Sequence, residues 1–272
     1  QEGISRPFRF EVRFAEEEGV SLDPDSLLRT KATLRLVRKG DVRRIDGIIT
    51  KATVGVSKNR APEVFLVLEP TLTLAKYRQD IRVFRKKTAP EIIVEVLSAL
   101  GIKTELRLSG SYERREYCVQ MRESDFDFAA RLMEDEGIHY FLLEGDVMVL
   151  GDKASAYEEG GPLLPFRGGQ GLDQNDDAVI ALGARSAMGP TKMTLRDWNP
   201  EHPSLNMEVT TTTPCPGGPE YYDYPGEYPE PSAGQRKVAL RAEAVAVAHA
   251  AVEGRTLSGV LFPGGIFKLE DA

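Results

Sequence analysis

Apolar and polar residues alternate along the first third of the chain. Phe8, Phe10, Val12 and Phe14 are interleaved with Arg9, Glu11 and Arg13, which predicts a half-buried strand. A polar loop, EEEGVSLDPDS, follows, and Asp23-Pro24-Asp25 predicts a tight turn. Ala32, Leu34 and Leu36 alternate next, and Lys39-Gly40-Asp41 turns the chain into a strand over 42–50. Residues 51–56 either extend that strand or start another. Over 63–74, Phe65 and Val67 fall on one face and Leu66 and Leu68 on the other, with Pro70 predicted to bend the strand or mark a sheet edge. Strands at such short spacing predict a small antiparallel barrel or sandwich.

The period changes near Tyr77. Thr88 and Glu91 form a capping-box pattern with Pro90 in the first turn. Ile92, Ile93, Val96, Leu97 and Leu100 then line one helical face, closed by Gly101. Strands are predicted over 102–108 and 115–121, around Gly110. The stretch SDFDFAARLMEDEGIHYFLLEGDVMVLG reads as one unit. Ser124 is its N-cap, Asp127 the acidic capping partner, and Asp125 with Asp127 favours the positive end of the helix dipole. Phe126, Ala129, Leu132 and Met133 form the predicted apolar stripe, Gly137 ends the helix and Ile138 folds back on it. Residues 139–143 and 147–150 then form a hairpin around Glu-Gly-Asp. Residues 77–151 are thus an α/β module placed between two β parts.

Beyond Asp152 the chain is rich in Gly, Pro and acid, with strand-like runs at 178–188, 191–198 and 207–213. Residues 235–252 predict an Ala-rich helix closed by Gly254. Its small side chains permit close approach to a neighbouring surface, although an ordinary packed helix is the plainer reading.

Length and charge narrow the function classes. At 272 residues the chain has room for two domains and for burying roughly 75% of its unfolded surface. A net charge of −7 argues against nucleic acid or an anionic membrane as the main partner. No apolar run approaches the ~20 residues that span a bilayer, so no stable membrane anchor is expected. No signal peptide is visible, but the first residue is Gln1, so an upstream segment is expected to precede it. Cys118 and Cys215 are far apart in sequence; one disulfide between them is the alternative, but free, reduced thiols of a protein folded in the cytoplasm are expected.

Catalytic patterns are sparse. His139, His202 and His249 have no metal-ligand spacing, neither cysteine lies in a C-x-x-C pair, and no metal, cofactor or catalytic residue is assigned. Glu134-Asp135-Glu136 could supply a carboxylate pair for sugar hydrolysis, but charges closing an amphipathic helix are expected to face water. Gly168-Gly-Gln-Gly171 lacks a convincing following helix. Lys and Arg cluster over 29–51 and 76–87, with Tyr77 and Phe84 interleaved. The cations alternate with apolar residues and are expected on the solvent face, as an intersubunit or tube-facing patch rather than a nucleic-acid site. YYDYPGEY is open to two readings, a sugar platform or a loop packed on a neighbour.

Five stretches carry a family resemblance. RESDFDFAARLMEDEGIHYFLLEGDVMVLGD resembles the E-S-D-F-x-F-x-x-R-L-M-E-x-E-G-I-x-Y signature of VgrG proteins, the spike proteins of bacterial type VI secretion systems, which are related to phage tail hubs. Its matching positions include Ser124, Asp125, Phe126, Arg131, Leu132, Glu134, Gly137 and Tyr140. RVFR resembles the family's R-x-F-Q, with Arg85 in place of Gln. RDWNPEHP resembles R-D-Y/W-N-x-x-x-P through Arg196, Asp197, Trp198, Asn199 and Pro203, and Y-D-Y-P-G matches Tyr222, Asp223, Tyr224, Pro225 and Gly226. The C-terminal RTLSGVLFPGGIFKL resembles strands that lead towards the family's next domain.

The resemblance implies an α+β, mainly β fold of two small tail-hub-type β-barrels with an inserted α/β module. The implied parts are a first barrel over 1–76, the module over 77–151, a second barrel with the Ala-rich helix over 152–253, and strands over 254–272 leading to a C-terminal barrel and needle outside this chain. It also implies a non-enzymatic homotrimeric hub between a hexameric tube and a needle, with tip protein and effectors held through the C-terminal part. Such a hub is assembled in the bacterial cytoplasm and secreted by the contractile apparatus without a signal peptide. A phage tail or extracellular injection particle, and a cell-wall hydrolase or glycan-binding module, are the alternatives.

Overall fold

A computed structural model describes residues 1–15, 22–38, 41–56, 62–168 and 177–270. The chain divides into two compact units, Gln1–Leu163 with Ser258–Lys268, and Leu164–Leu257 with Leu269–Ala272. The fold is mixed α+β, built from several small sheets, and none of them closes into a barrel among the described residues.

The first unit opens with strands β1 (Phe10–Ala15), β2 (Lys31–Arg38), β3 (Asp41–Val56) and β4 (Pro62–Glu69). They form one antiparallel sheet in the order β1-β4-β3-β2. Residues 51–56 extend β3, which passes a register irregularity between Ile49 and Lys51. Phe8, Ile45, Ile49 and Leu68 make the core of this sheet. Phe8 is buried just before β1 begins, so the first strand starts two residues later than the alternation suggests. Asp23-Pro24-Asp25 forms not a bare turn but the start of a one-turn helix α1 (Pro24–Leu27), because the Asp23 carboxylate caps the Asp25 N–H at 3.2 Å. Pro70 neither bends β4 nor lies at an edge. It ends the strand and starts a 3-10 turn over Thr71–Lys76, since β4 is a central strand whose N–H groups are needed on both sides. The predicted loop residues 16–21 and turn residues Lys39 and Gly40 lie outside the described residues.

The module contains β5 (Gln79–Phe84), α2 (Ala89–Ser98), β6 (Lys103–Arg107), β7 (Cys118–Ser124), α3 (Asp125–Glu136), β8 (His139–Leu143) and β9 (Val147–Gly151). β5 and β7 form a two-stranded antiparallel ribbon, and β6, β9 and β8 form a three-stranded sheet in that order. The capping box of α2 is complete, with Thr88 N–H donating to Glu91 at 2.8 Å and Glu91 N–H to the Thr88 hydroxyl at 3.4 Å. Ile92, Ile93, Val96 and Leu97 are wholly buried, and Gly101 closes the turn with φ of 73°. They pack with Phe128, Leu132, Met148 and Leu150 in one core. That shared core docks both helices on the sheets.

The second unit holds β11 (Val179–Ser186), β12 (Lys192–Leu195), β13 (Val209–Thr212), β14 (Glu220–Asp223), α4 (Pro231–His249) and β15 (Ala250–Thr256), while the short strands β10 (Leu163–Pro165) and β16 (Lys268–Glu270) lie at the unit boundary. The three-stranded sheet runs β13-β12-β14, and β11 pairs with β15. One side of α4, through Val238 and Ala242, packs on Met193, Leu195, Met207 and Val209. The Ala-rich helix begins at Pro231 and stops at His249, unlike the predicted 235–252. Residues 250–256 instead pair with β11, with Gly254 opposite Leu182, so Gly254 is a strand residue and not a helix stop.

Candidate functional site

The signature helix α3 is organised by a buried carboxylate. Ser124 caps it, accepting from Asp127 N–H at 3.0 Å while its hydroxyl donates to the Asp127 carboxylate at 2.6 Å. Asp125 serves more than the helix dipole. It is 0% exposed and accepts from Arg78, Arg82 and the Gln120 amide, the last at 3.0 Å. Arg78 reaches it from the residue before β5, Arg82 from within β5, and Gln120 from β7. Arg78 also donates to Val96 O on α2 at 3.1 Å, so one carboxylate ties α3 to the ribbon and to α2. Removing a partner from such a buried network leaves charge uncompensated, which makes the network a strict positional lock.

The buried stripe of α3 is Asp125, Phe128, Ala129, Leu132, Met133 and Glu136. Phe128, not Phe126, is the core aromatic, stacked on Phe84 with ring centroids 5.6 Å apart, whereas Phe126 is partly buried under Lys76, 5.0 Å from its ring. Arg131 pairs with Glu123 at 2.5 Å. Gly137 takes the left-handed C-cap with φ of 69°, and Ile138 N–H returns to Met133 O at 2.8 Å. Tyr140 is buried in β8, and burial pushes its phenol pKa well up. The terminal acids do not all face water. Glu134 is exposed, but Asp135 and Glu136 both accept from Arg115, at 2.5 and 2.7 Å. These carboxylates serve packing of the helix end.

In the second unit the other two motifs meet. β12 and β14 pair in parallel with Leu195 opposite Asp223, and the pairing continues past their ends. Arg196 N–H donates to Asp223 O at 3.1 Å, and Gly226 N–H to Arg196 O at 2.9 Å. Asp197 accepts from Trp198 N–H at 2.7 Å and from Tyr228 N–H at 3.2 Å, and the Asn199 amide donates to Pro229 O at 3.0 Å. The Asp223 carboxylate takes Arg241 of α4 at 2.6 Å. Pro203 follows in the exposed loop.

The centre of this loop pair is Tyr228, which the motif positions did not single out. It is 4% exposed, and its hydroxyl, with a single proton to donate, lies between two carbonyl acceptors, Leu195 O, 3.1 Å away, and Met207 O. A Cβ at Gly226 would lie 2.3 Å from one edge of its ring, and one at Gly234 would lie 2.6 Å from the other. The motif glycine is therefore a clearance for Tyr228. Tyr222, Tyr224 and Trp198 remain exposed at 54%, 56% and 57%.

The basic cluster over 76–87 is sorted opposite to expectation. Arg78 and Arg82 turn inward to Asp125, Phe84 is buried, and Ile81 and Val83 face solvent. Phe84 is core and offers no face to a base, while the exposed Tyr117 on the neighbouring strand end lies under Arg85, 5.1 Å from its ring. Arg43, from the earlier basic stretch, borders a cavity of about 480 Å³ lined by Phe8, Ile45, Leu142 and Phe262. Its guanidinium is already engaged by Glu2 at 2.8 Å and by Leu261 O at 2.7 Å.

Cys118 and Cys215 are free and buried, and burial pushes the Cys118 thiol up, away from reactivity. His139 is half-buried against Tyr157, ring centroids 5.1 Å apart, and burial lowers its pKa despite the nearby Asp152. His202 sits in an exposed loop, and His249 Nδ1 lies 2.5 Å from Ala187 O. Among the described residues no group of three His, Cys, Asp or Glu side chains could hold a metal ion, and no helix is long and apolar enough to cross a membrane. Of the glycine run 168–171, residues 169–171 lie outside the described residues.

Comparison with known proteins matches this architecture. The family model for the phage tail baseplate hub (GPD) matches residues 1–272. The type VI secretion system spike protein VgrG5 of Pseudomonas aeruginosa is 34% identical over 239 residues, 84% of this chain. This chain spans only 30% of that relative's length. Among solved structures, the E. coli c3393 protein, a component of the type VI secretion system with structural similarity to T4 bacteriophage tail proteins gp27 and gp5, superposes with a TM-score of 0.73 at 20% identity, covering 99% of this chain and 62% of that one. The 43 kDa tail protein of prophage MuSo2 from Shewanella oneidensis gives a TM-score of 0.66 at 14% identity, covering 97% of this chain and 80% of its own. The chain therefore belongs to the phage tail baseplate hub family, which takes in VgrG-type spike proteins of type VI secretion systems.

Proposed function

We propose that this chain is the hub portion of a type VI secretion puncturing spike. The observation that carries the reading is the match to the baseplate hub family over residues 1–272, together with a spike relative at 34% identity. In this reading the sheets of 1–76 and 152–253 curl into two related barrels around the module of 77–151, and 254–272 lead on to a needle. Three copies form a ring whose six barrels match a hexameric tube, adapting it to a threefold needle. Tip protein and effectors are held through the part beyond this chain. Assembly takes place in the bacterial cytoplasm, and the contractile apparatus exports the hub.

The role is mechanical, with no covalent chemistry. Buried ion-pair locks such as Asp125 with Arg78 and Arg82 suit a part that must keep its shape under thrust. The motif positions of α3 and of the 196–203 and 222–226 loops serve folding or assembly in this reading.

The test is release of tube protein into the medium by cells making the full-length protein. Deletion should abolish release and re-expression restore it. Undiminished release after deletion would overturn the reading. A phage-tail hub is the second reading, favoured by the prophage tail likeness, and deletion would then abolish infectious particles instead.

A further inference from the structure

The β5–β7 ribbon turns its charged side inward and its apolar side outward. Arg82, Phe84, Cys118 and Gln120 point to the helices, and the last three are buried. On the outer face Ile81 stands opposite Met121 and Val83 opposite Val119. Their exposures are 56%, 63%, 59% and 37%. Four apolar side chains in a two-by-two block form a contiguous patch, and such patches mark contact surfaces when rimmed by polar groups.

Cations stand at both ends of this patch. Arg85 and Lys86 follow β5, and Arg122 bulges from β7 beside the register shift between Asp80 and Ile81. Among the described residues none of the three has a carboxylate within salt-bridge distance. The neighbouring acids are largely engaged, Asp80 with Arg82 and Glu123 with Arg131, which leaves Glu116 beside Tyr117. Lys86 and Arg122 also hold left-handed backbone, with φ of 53° and 52°. That conformation costs a non-glycine residue on the order of 1 kcal/mol.

We propose that the outer face of the β5–β7 ribbon is a docking surface for an acidic protein segment. Apolar side chains of the partner cover Ile81, Val83, Val119 and Met121, and its carboxylates meet Arg85, Lys86 and Arg122. The charge pattern selects this occupant, because the patch is a local basic exception on a chain of net charge −7. The same net charge opposes an anionic bilayer as the occupant.

The test uses the whole chain and two synthetic peptides of alternating Leu–Glu and Leu–Lys, with phosphatidylserine vesicles as a third probe. Methyl chemical shifts of Ile81, Val83, Val119 and Met121 report the site. The Leu–Glu peptide is expected to bind at least about tenfold more tightly than Leu–Lys, with shifts centred on those four methyls. The double variant Arg85→Glu, Arg122→Glu should reverse the preference. Val83→Thr with Met121→Thr should weaken binding about tenfold while the fold persists, since both side chains face solvent. Equal binding of the two peptides, shifts centred elsewhere, or binding to vesicles alone would overturn the proposal.

Discussion

The Asp125 carboxylate and the Gln120 amide lie 3.0 Å apart, and both side chains are wholly buried. Gln120 also donates to Glu123 O at 3.0 Å and accepts from Arg82 at 2.8 Å, so it closes a ring around the N-terminus of α3. Asp125→Ala should cost about 3 kcal/mol, because Arg78, a third exposed, loses its counter-charge and Arg82, a quarter exposed, keeps only Asp80 at 3.5 Å. Asp125→Asn should cost less, since an amide keeps one acceptor. Urea unfolding of the chain and its variants measures both.

Tyr228 leaves no room for a side chain at its flanking glycines. Gly226→Ala and Gly234→Ala would each drive a Cβ to within 2.6 Å of the ring, and each should cost about 1–3 kcal/mol as overpacking. Gly55→Ala, whose Cβ meets nothing within 4 Å, is the neutral control in the same denaturation series. If all three variants unfold alike, Tyr228 is not the clamp.

Removing the phenol oxygen should also be felt. Tyr228→Phe removes the one buried proton that Leu195 O and Met207 O share and should cost about 1–3 kcal/mol. The thermal midpoint of the variant, compared with that of exposed Tyr222→Phe, checks it.

Stability should fall with acid in two windows. The pKa of His139 is lowered in the fold by burial, so its contribution is present above its unfolded pKa of about 6.5 and is lost as pH falls through the lower folded value. His139→Gln should flatten that window. Asp46 is held low by Thr33, and Asp152, against its burial, by the N–H groups of Gly110 and Ser109. Their contribution is present above about 3.9 and is lost as pH falls further. Asp146 acts in the opposite sense, because burial raises its pKa and its contribution is lost as pH rises through that raised value. Urea midpoints across the pH range, with Asp152→Asn for the second window, measure the sum.

The elements set by local chemistry were legible in the sequence. The α2 capping box, the Gly101 and Gly137 stops and the 139–151 hairpin follow from residues within a few positions of each other. What required the fold was facing. Alternation in RQDIRVF announces a strand but not which side is covered, and the cations were expected outside. Asp125, 43 residues from Arg82 in sequence, draws them inside, and Ile81 and Val83 turn out in consequence. The Ala-rich helix was overrun for a similar reason. Residues 250–256 carry helix-compatible side chains, yet the β11 strand, far away in sequence, recruits them. Tyr228 was missed because its three neighbours Tyr221, Tyr222 and Tyr224 look alike in sequence, and only the clearance at Gly226 and Gly234 distinguishes it.

The hub reading rests most directly on assembly state. Light scattering of the chain and of the full-length protein that carries it should give the solution mass of each. The account expects a trimer in the full-length protein, and a mass three times the 30.1 kDa chain where the hub alone supplies the contacts. A monomer in both forms would contradict it.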